Sequence, residues 1–171
     1  MFRPGHYGVA LALYAPIGSW LLALGHPAVA VAGGAGVLWL TMLPDWDLRV
    51  PFLSHRGPTH TLAFAGLLAG GAWAGVGAGA TATGVGSHAV GPVSLRAFAA
   101  GIVALSLLAH LAADLLTPMG VALFWPVSDR RYSLSVTPAD STAWNYALFA
   151  LGVFATGAAA YLGVELLAQG A

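Results

Sequence analysis

Histidines and aspartates recur beside the apolar stretches of this sequence, in spacings that suit a metal site. Asp45 and Asp47 lie in LPDWD, and His55 and His60 flank Arg56 in SHRGPTH. Imidazole nitrogens and carboxylate oxygens are protein ligands of zinc, manganese and iron. Six residues are therefore candidate metal ligands: His6, Asp45, Asp47, His60, His110 and Asp114.

His110 and Asp114 form the most informative pair, because residues four apart lie on one face of a helix. Their motif, HLAAD, lies inside a long apolar stretch. An aspartate there costs several kcal/mol unless it is paired or coordinates a cation. A divalent ion would neutralise such carboxylates. A hydrogen bond between the two side chains and a proton-relay pair are the alternatives to a metal.

The number of candidate ligands bears on the number of ions. A catalytic zinc uses about three protein ligands and a water, so six candidates predict either two ions or one ion with some residues orienting its ligands. Zinc is the first candidate, and manganese and iron are the alternatives. Asp45 and Asp47 also follow a proline at a helix end, where acids cap turns. His6, taken alone, could equally be a surface histidine.

Three residues are candidates for the catalytic steps. Asp47 is a general base if it is not a ligand, and the same holds for Asp114. His55 is either a further ligand or an acid–base group. The planar guanidinium of Arg56 can hold two oxygens of a phosphate or carboxylate, although a positively charged anchor at the membrane surface explains an arginine here equally well.

The elements that must position these residues are membrane helices. Of the 171 residues, 58% are apolar and 7% are charged, whereas about 25% are charged in soluble domains. A membrane-spanning helix needs about 20 apolar residues, and the sequence contains several long segments without a charge. These segments predict five transmembrane helices, near residues 7–24, 28–43, 60–80, 96–116 and 143–167.

The predicted fold class is all-α, a polytopic membrane bundle of about five helices that forms one domain over residues 1–171. The motifs lie within about residues 3–140, and the C-terminal transmembrane helix covers about 143–167. The net charge is zero, so the chain has no basic surface for nucleic acid. The absence of cysteine excludes disulfides, thiolate ligands and a cysteine nucleophile.

The placement of arginines predicts which way the bundle faces. Five spans put the N-terminus and the loops at about 44–59 and 117–142 on one side, and the loop at about 81–95 on the other. Five of the six arginines fall on the first side, and positively charged short loops stay in the cytoplasm. We therefore expect a multi-pass protein of the cell membrane, with its N-terminus and its site facing the cytoplasm.

Three sequence blocks together resemble the signature of a known family. LPDWD, HRGPTHT and HLAADLLTPMGVALFWP are similar to the three conserved blocks of the YdjM-like family of membrane-bound, metal-dependent hydrolases, described as LexA-binding and inner membrane-associated. The resemblance implies a divalent-metal site and hydrolase activity. It implies the metal ligands already named by position, with His55 and Arg56 beside them. We predict no LexA interaction, because a neutral, membrane-embedded chain offers no surface suited to a repressor.

The leading hypothesis is a membrane-bound, metal-dependent hydrolase that acts at the cytoplasmic face, on a lipid or lipid-linked phosphoester. Membrane lipid is then its surroundings and the source of its substrate. A transporter that handles protons or metal ions is one alternative, since intramembrane His and Asp also build relays. The other is a scaffold without catalysis, in which a metal only ties helices together. No oligomeric state is predicted.

Overall fold

Five α-helices make up most of the chain, confirming the all-α class. The structure, a computed structural model, describes residues 1–83 and 88–170; residues 84–87, within the predicted loop at about 81–95, lie outside them. The helices are α1 (Arg3–Ala23), α2 (Pro27–Thr41), α3 (Leu62–Ala82), α4 (Leu95–Leu115) and α5 (Thr142–Ala168). Short 3-10 helices cover Pro44–Arg49 and Pro58–His60, and an antiparallel hairpin pairs β1 (Ala89–Val90) with β2 (Val93–Ser94).

Local sequence explains where the helices begin. A proline lies in the first turn of both α1 and α2, where its missing N–H is not needed. Hydroxyl side chains cap the other three helices: Thr61 accepts from the amide of Phe64 at 3.0 Å before α3, and Ser94 and Ser141 do the same before α4 and α5. His60 therefore lies in the 3-10 turn just before α3 rather than in its first helical turn.

The predicted count of about five membrane spans is wrong, because within residues 1–83 and 88–170 three helices meet the requirements of length and hydropathy. These are α3, α4 and α5, which are long and apolar enough to cross a membrane. Helix α2 is apolar but has 15 residues, fewer than the about 20 that a bilayer needs. Helix α1 has 21 residues, but polar residues such as Arg3 and His6 lower the hydropathy of its first turns.

Helices α1 and α5 run parallel in close contact. A Cβ added at Gly8 would meet the carbonyl of Leu148, and one added at Gly152 would meet the carbonyl of Gly8. Such close approach of backbones is what small residues permit in membranes. On the outer side of α5, Phe154 and Tyr161 are exposed, as suits a helix that contacts lipid.

Helices α1, α2 and α4 enclose the apolar core, with Tyr14, Val37 and Ile102 among its buried members. Since α2 and α4 run opposite to the other three helices, five helix ends meet at one end of the bundle. The N-terminal ends of α1, α3 and α5 come together there with the C-terminal ends of α2 and α4. All the candidate ligands lie at this end.

Candidate metal centre

Two histidines face each other at the centre of the site. The Nε2 atoms of His60 and His110 are 3.1 Å apart, and both side chains are fully buried. His110 Nδ1 lies 2.7 Å from the carbonyl of Thr41, which only accepts, so the proton of His110 is on Nδ1. The Nε2 of His110 therefore presents a lone pair to His60.

The Nδ1 atom of His60 is likewise a hydrogen-bond donor. His60 Nδ1 is 3.0 Å from the Thr59 hydroxyl, which itself donates to Asp47 Oδ2 at 3.0 Å. The hydroxyl proton is thus directed to Asp47, and Thr59 accepts from His60. Two Nε2 lone pairs at this distance repel each other unless a cation or a shared proton lies between them.

Two carboxylates converge on the same pair of nitrogens. Asp45 Oδ1 lies 3.4 Å from His60 Nε2 and 3.5 Å from His110 Nε2. Asp114 Oδ2 lies 3.6 Å and 3.5 Å from the same two atoms, so His110 and Asp114 lie on one face of α4. Asp114 is buried, whereas Asp45 retains 18% of its side-chain exposure and is the open edge of the cluster.

His6 adds a third imidazole from α1. Its ring stacks on that of His110 with centroids 4.2 Å apart, and its Nε2 lies 3.4 Å from Asp114 Oδ1. Its Nδ1 donates to the carbonyl of Phe2 at 3.2 Å, so its Nε2 is again a lone pair. Within the described residues, His6 Nε2 and Asp114 Oδ2 are buried polar atoms without a hydrogen-bond partner.

These donor atoms fit a divalent cation. Ligands held about 2.0 to 2.2 Å from a tetrahedral zinc lie about 3.3 to 3.6 Å from one another. The distances between neighbouring ligand atoms given above run from 3.1 to 3.6 Å. A cation also accounts for the opposed lone pairs and for the buried atoms that have no other partner. In the part of the chain that the structure describes, three groups of ligand atoms could hold an ion: His6, His110 and Asp114; Asp45, His60 and His110; and Asp47, His55 and His60.

Hydrogen bonds on the side of each imidazole ring away from the cluster orient the ligand atoms. Carbonyls of Phe2 and Thr41 fix the rings of His6 and His110. Asp47 Oδ2 lies 3.3 Å from His60 Nδ1, on the side of the ring away from His110. Such carboxylate or carbonyl partners behind a histidine set its tautomer and make it a better ligand. Asp47 therefore stands behind the cluster, unlike the other five predicted ligands.

Burial and neighbouring charges set the protonation of His60 and Asp45, the two ligands that lie outside the α-helices. Burial lowers the pKa of His60 below its usual value, and the neighbouring carboxylate of Asp45 only partly offsets it. Burial by itself would raise the pKa of Asp45, but the adjacent His110 and His60 side chains hold it well below its usual range. Neutral imidazole and ionised carboxylate are the forms that bind metal.

Arg56 is buried, and both of its terminal nitrogens donate hydrogen bonds within the protein. Its Nη2 donates to Asp114 Oδ1 at 2.6 Å, and its Nη1 donates to the Thr117 hydroxyl at 3.0 Å and to the Gly120 carbonyl at 3.2 Å. Its backbone adopts a left-handed conformation with φ of 57°. The guanidinium thus orients Asp114 instead of standing just outside the site as the sequence suggests.

His55 lies at the edge of the site. Its Nδ1 is 3.1 Å from Asp47 Oδ1, and its side chain is 37% exposed. Thr59 and Thr117 complete the network, and sequence reasoning missed both as contributors. The only signal for them was their position, one residue before His60 and three after Asp114.

The model of a family described as YdjM inner membrane protein matches residues 1–169. Among curated proteins and among solved structures, none matches the chain. The match extends beyond the motif blocks to include α5, and it confirms the resemblance seen in the sequence.

Proposed function

The chain belongs to the YdjM inner membrane protein family, and from that premise we propose that it is a membrane-bound hydrolase that depends on a divalent metal. The metal is zinc in the first instance, with manganese or iron as alternatives. The substrate is a lipid or lipid-linked phosphoester, reached from the cytoplasmic face of the membrane. This site also explains why a chain so apolar keeps most of its histidines and aspartates at one end of the bundle.

One observation carries the proposal. The Nε2 atoms of His60 and His110 face each other at 3.1 Å, with Asp45 and Asp114 beside both. Asp45 gives the cluster a partly exposed edge, whereas a purely structural metal site is closed by four protein ligands. The combination of convergent ligands and an open edge favours catalysis over a scaffold.

The residues of the centre have separate roles in this proposal. Two groups of ligand atoms share His110 and would hold one or two cations: His6, His110 and Asp114, and Asp45, His60 and His110. A bound cation would supply a Lewis acid that polarises a phosphoryl oxygen and lowers the pKa of water.

Other residues act around the ligands. Asp45, at the open edge, accepts a hydrogen bond from an incoming water. Asp47 fixes His60, and Arg56 fixes Asp114, so both are positioning residues. His55, exposed beside Asp47, is the acid–base candidate.

The test combines metal content with turnover. Wild-type protein is purified in detergent, its metal is measured by mass spectrometry, and hydrolysis of a panel of lipid phosphates is followed by phosphate release. We expect about one or two equivalents of metal and metal-dependent turnover. A variant with His110→Ala and Asp114→Ala should lose both.

The matched control is His88→Ala, which removes an exposed histidine at the other end of the bundle and should change neither quantity. Metal bound without turnover of any lipid phosphate would reject the hydrolase. Absence of metal after reconstitution with zinc, manganese and iron would instead identify the cluster as a proton-sharing network.

A further inference from the structure

A cavity opens beside the exposed edge of the metal centre. It has a volume of about 310 Å³, and Asp45 is part of its wall together with Arg3 and Arg49. Ligand pockets usually have volumes of about 300 to 1,000 Å³, so the cavity is large enough for a small headgroup. Asp45 is the ligand that connects it to the centre.

The two arginines give this cavity a positive charge. Both are exposed, and within the described residues Arg56 is the one arginine that forms an ion pair. Asp45 is the single acid in the wall, and its Oδ1 is directed to the imidazoles of His60 and His110. The guanidinium groups are therefore available for an anion that approaches the centre.

Apolar side chains form the rest of the wall. Phe2 and Trp46 line the cavity beside Leu48, and all three are large and exposed. Aromatic residues and arginines together are typical of the headgroup level of a membrane. A ligand with an anionic head and an apolar chain matches this composition better than a free inorganic anion does.

We propose that this cavity is the subsite for the phosphate head of a membrane amphiphile, bound by Arg3 and Arg49 next to Asp45. The inference rests on the proposed hydrolase function and names the residues that select its substrate. Arginine is suited to this task, because its guanidinium can bind two phosphate oxygens at once.

A second cavity offers a comparison. It has a volume of about 450 Å³ and is lined by Arg131 and by Arg56. Arg56 is its link to the metal centre, but the terminal nitrogens of Arg56 already bond Asp114, Thr117 and Gly120. No metal ligand is part of its wall in the described residues. We therefore assign this cavity no substrate and use Arg131 in the control variant.

The experiment measures binding of a phosphonate, which cannot be hydrolysed as a phosphoester. Dodecylphosphonate is added to protein in neutral detergent micelles and followed by phosphorus NMR, with methylphosphonate as the probe that lacks a chain. The test variant carries Arg3→Gln and Arg49→Gln. The matched control carries Arg130→Gln and Arg131→Gln, which remove the same charge from exposed positions. Gel filtration verifies that each variant is folded.

We expect the test variant to bind dodecylphosphonate at least about tenfold more weakly than wild type, because two charge-assisted hydrogen-bonding groups are lost. The control should stay within about twofold, as is usual for exposed positions away from a binding site. Equal weakening in both variants, or in neither, overturns the subsite. Methylphosphonate bound as tightly as dodecylphosphonate overturns the amphiphile and points to a soluble phosphoester.

Metal content measured in the same samples separates this inference from the proposed function. Binding that depends on Arg3 and Arg49 in protein unable to hold a metal supports the subsite and rejects the hydrolase. If metal-loaded protein binds the phosphonate equally well without these arginines, the subsite is overturned and the hydrolase proposal stands.

Discussion

At the scale of single residues, Asp47 and His55 lie next to the metal ligands, and neither is one of the proposed ligands. Asp47 accepts from the Thr59 hydroxyl and lies 3.3 Å from His60 Nδ1, so it holds the ring from behind. His55 contacts Asp47 Oδ1 at 3.1 Å and meets the His60 ring edge to face, with centroids 5.3 Å apart. Asp47 and His55 are neighbours, but Asp47 lies closer to the ligand atoms. Substitution of Asp47 and substitution of His55 should therefore affect metal binding differently.

Replacing Asp47 by Asn should weaken metal binding by about 10- to 100-fold without abolishing it, because the partner that orients His60 loses its charge. His55→Ala should leave metal affinity within about twofold, since removal of a half-exposed neighbour leaves the ligands in place. Competition with a fluorescent chelator measures both affinities. Complete loss of metal in Asp47→Asn would instead make Asp47 a ligand.

Arg56 provides a second residue-scale prediction, this time on stability. Arg56→Lys keeps the charge but has one terminal nitrogen, which cannot reach Asp114, Thr117 and Gly120 together. Leaving buried acceptors unpaired costs about 1 to 3 kcal/mol. We expect a lower unfolding temperature in detergent for this variant and no change for Arg131→Lys, whose side chain is exposed. Equal stability of the two variants would argue against the hydrogen bond between Arg56 and Asp114 in α4.

At the scale of elements, the contact of α1 with α5 holds His6 in position. Phe2, whose carbonyl accepts from His6, donates its own amide to Asn145 in α5 at 2.9 Å. Asn145 is buried and also bonds the backbone of Ser141. The crossing at Gly8 and Gly152 therefore sets the register of both helices relative to the metal centre.

Gly152→Ala should destabilise the protein, because the added Cβ would collide with the carbonyl of Gly8 and overpacking costs about 1 to 3 kcal/mol. The control is Gly157→Ala in the same helix, where an added Cβ would meet nothing within 4 Å. That change should be neutral or slightly stabilising, since alanine favours helix. Thermal unfolding with parallel metal analysis tests both. A Gly152→Ala protein as stable as wild type would mean that α1 and α5 are not in close contact.

Spacing explains which parts of the site the sequence could predict. The pair His110–Asp114 follows from helical periodicity, and the five helices lie close to the predicted apolar segments. The positions of Asp47 and Arg56 depend on 3-10 turns, a left-handed residue and hydrogen bonds to carbonyls. None of these leaves a periodic pattern. The span count failed for a different reason, since the segment predicted near 28–43 was counted as a span although it is shorter than the about 20 residues that a bilayer needs, and α2 has 15 residues.

At the scale of the whole molecule, the arrangement of helices argues for one orientation in the membrane. The metal-centre end carries Arg3, Arg49, Arg130 and Arg131 on its surface, whereas Arg96 at the start of α4 lies at the opposite end, over the ring of Trp73. The three apolar helices alternate in direction. They therefore leave the segments before α3 and between α4 and α5 on one side of the membrane.

That orientation can be measured because the chain contains no cysteine. Single Arg131→Cys and His88→Cys variants place one thiol at each end of the bundle, both at exposed positions. Since arginine-rich short loops stay in the cytoplasm, a maleimide that does not cross membranes should label the His88→Cys variant in intact spheroplasts. The Arg131→Cys variant should react only after permeabilisation. The reverse pattern would turn the metal centre to the outer face, and a substrate would then have to be sought in the outer leaflet.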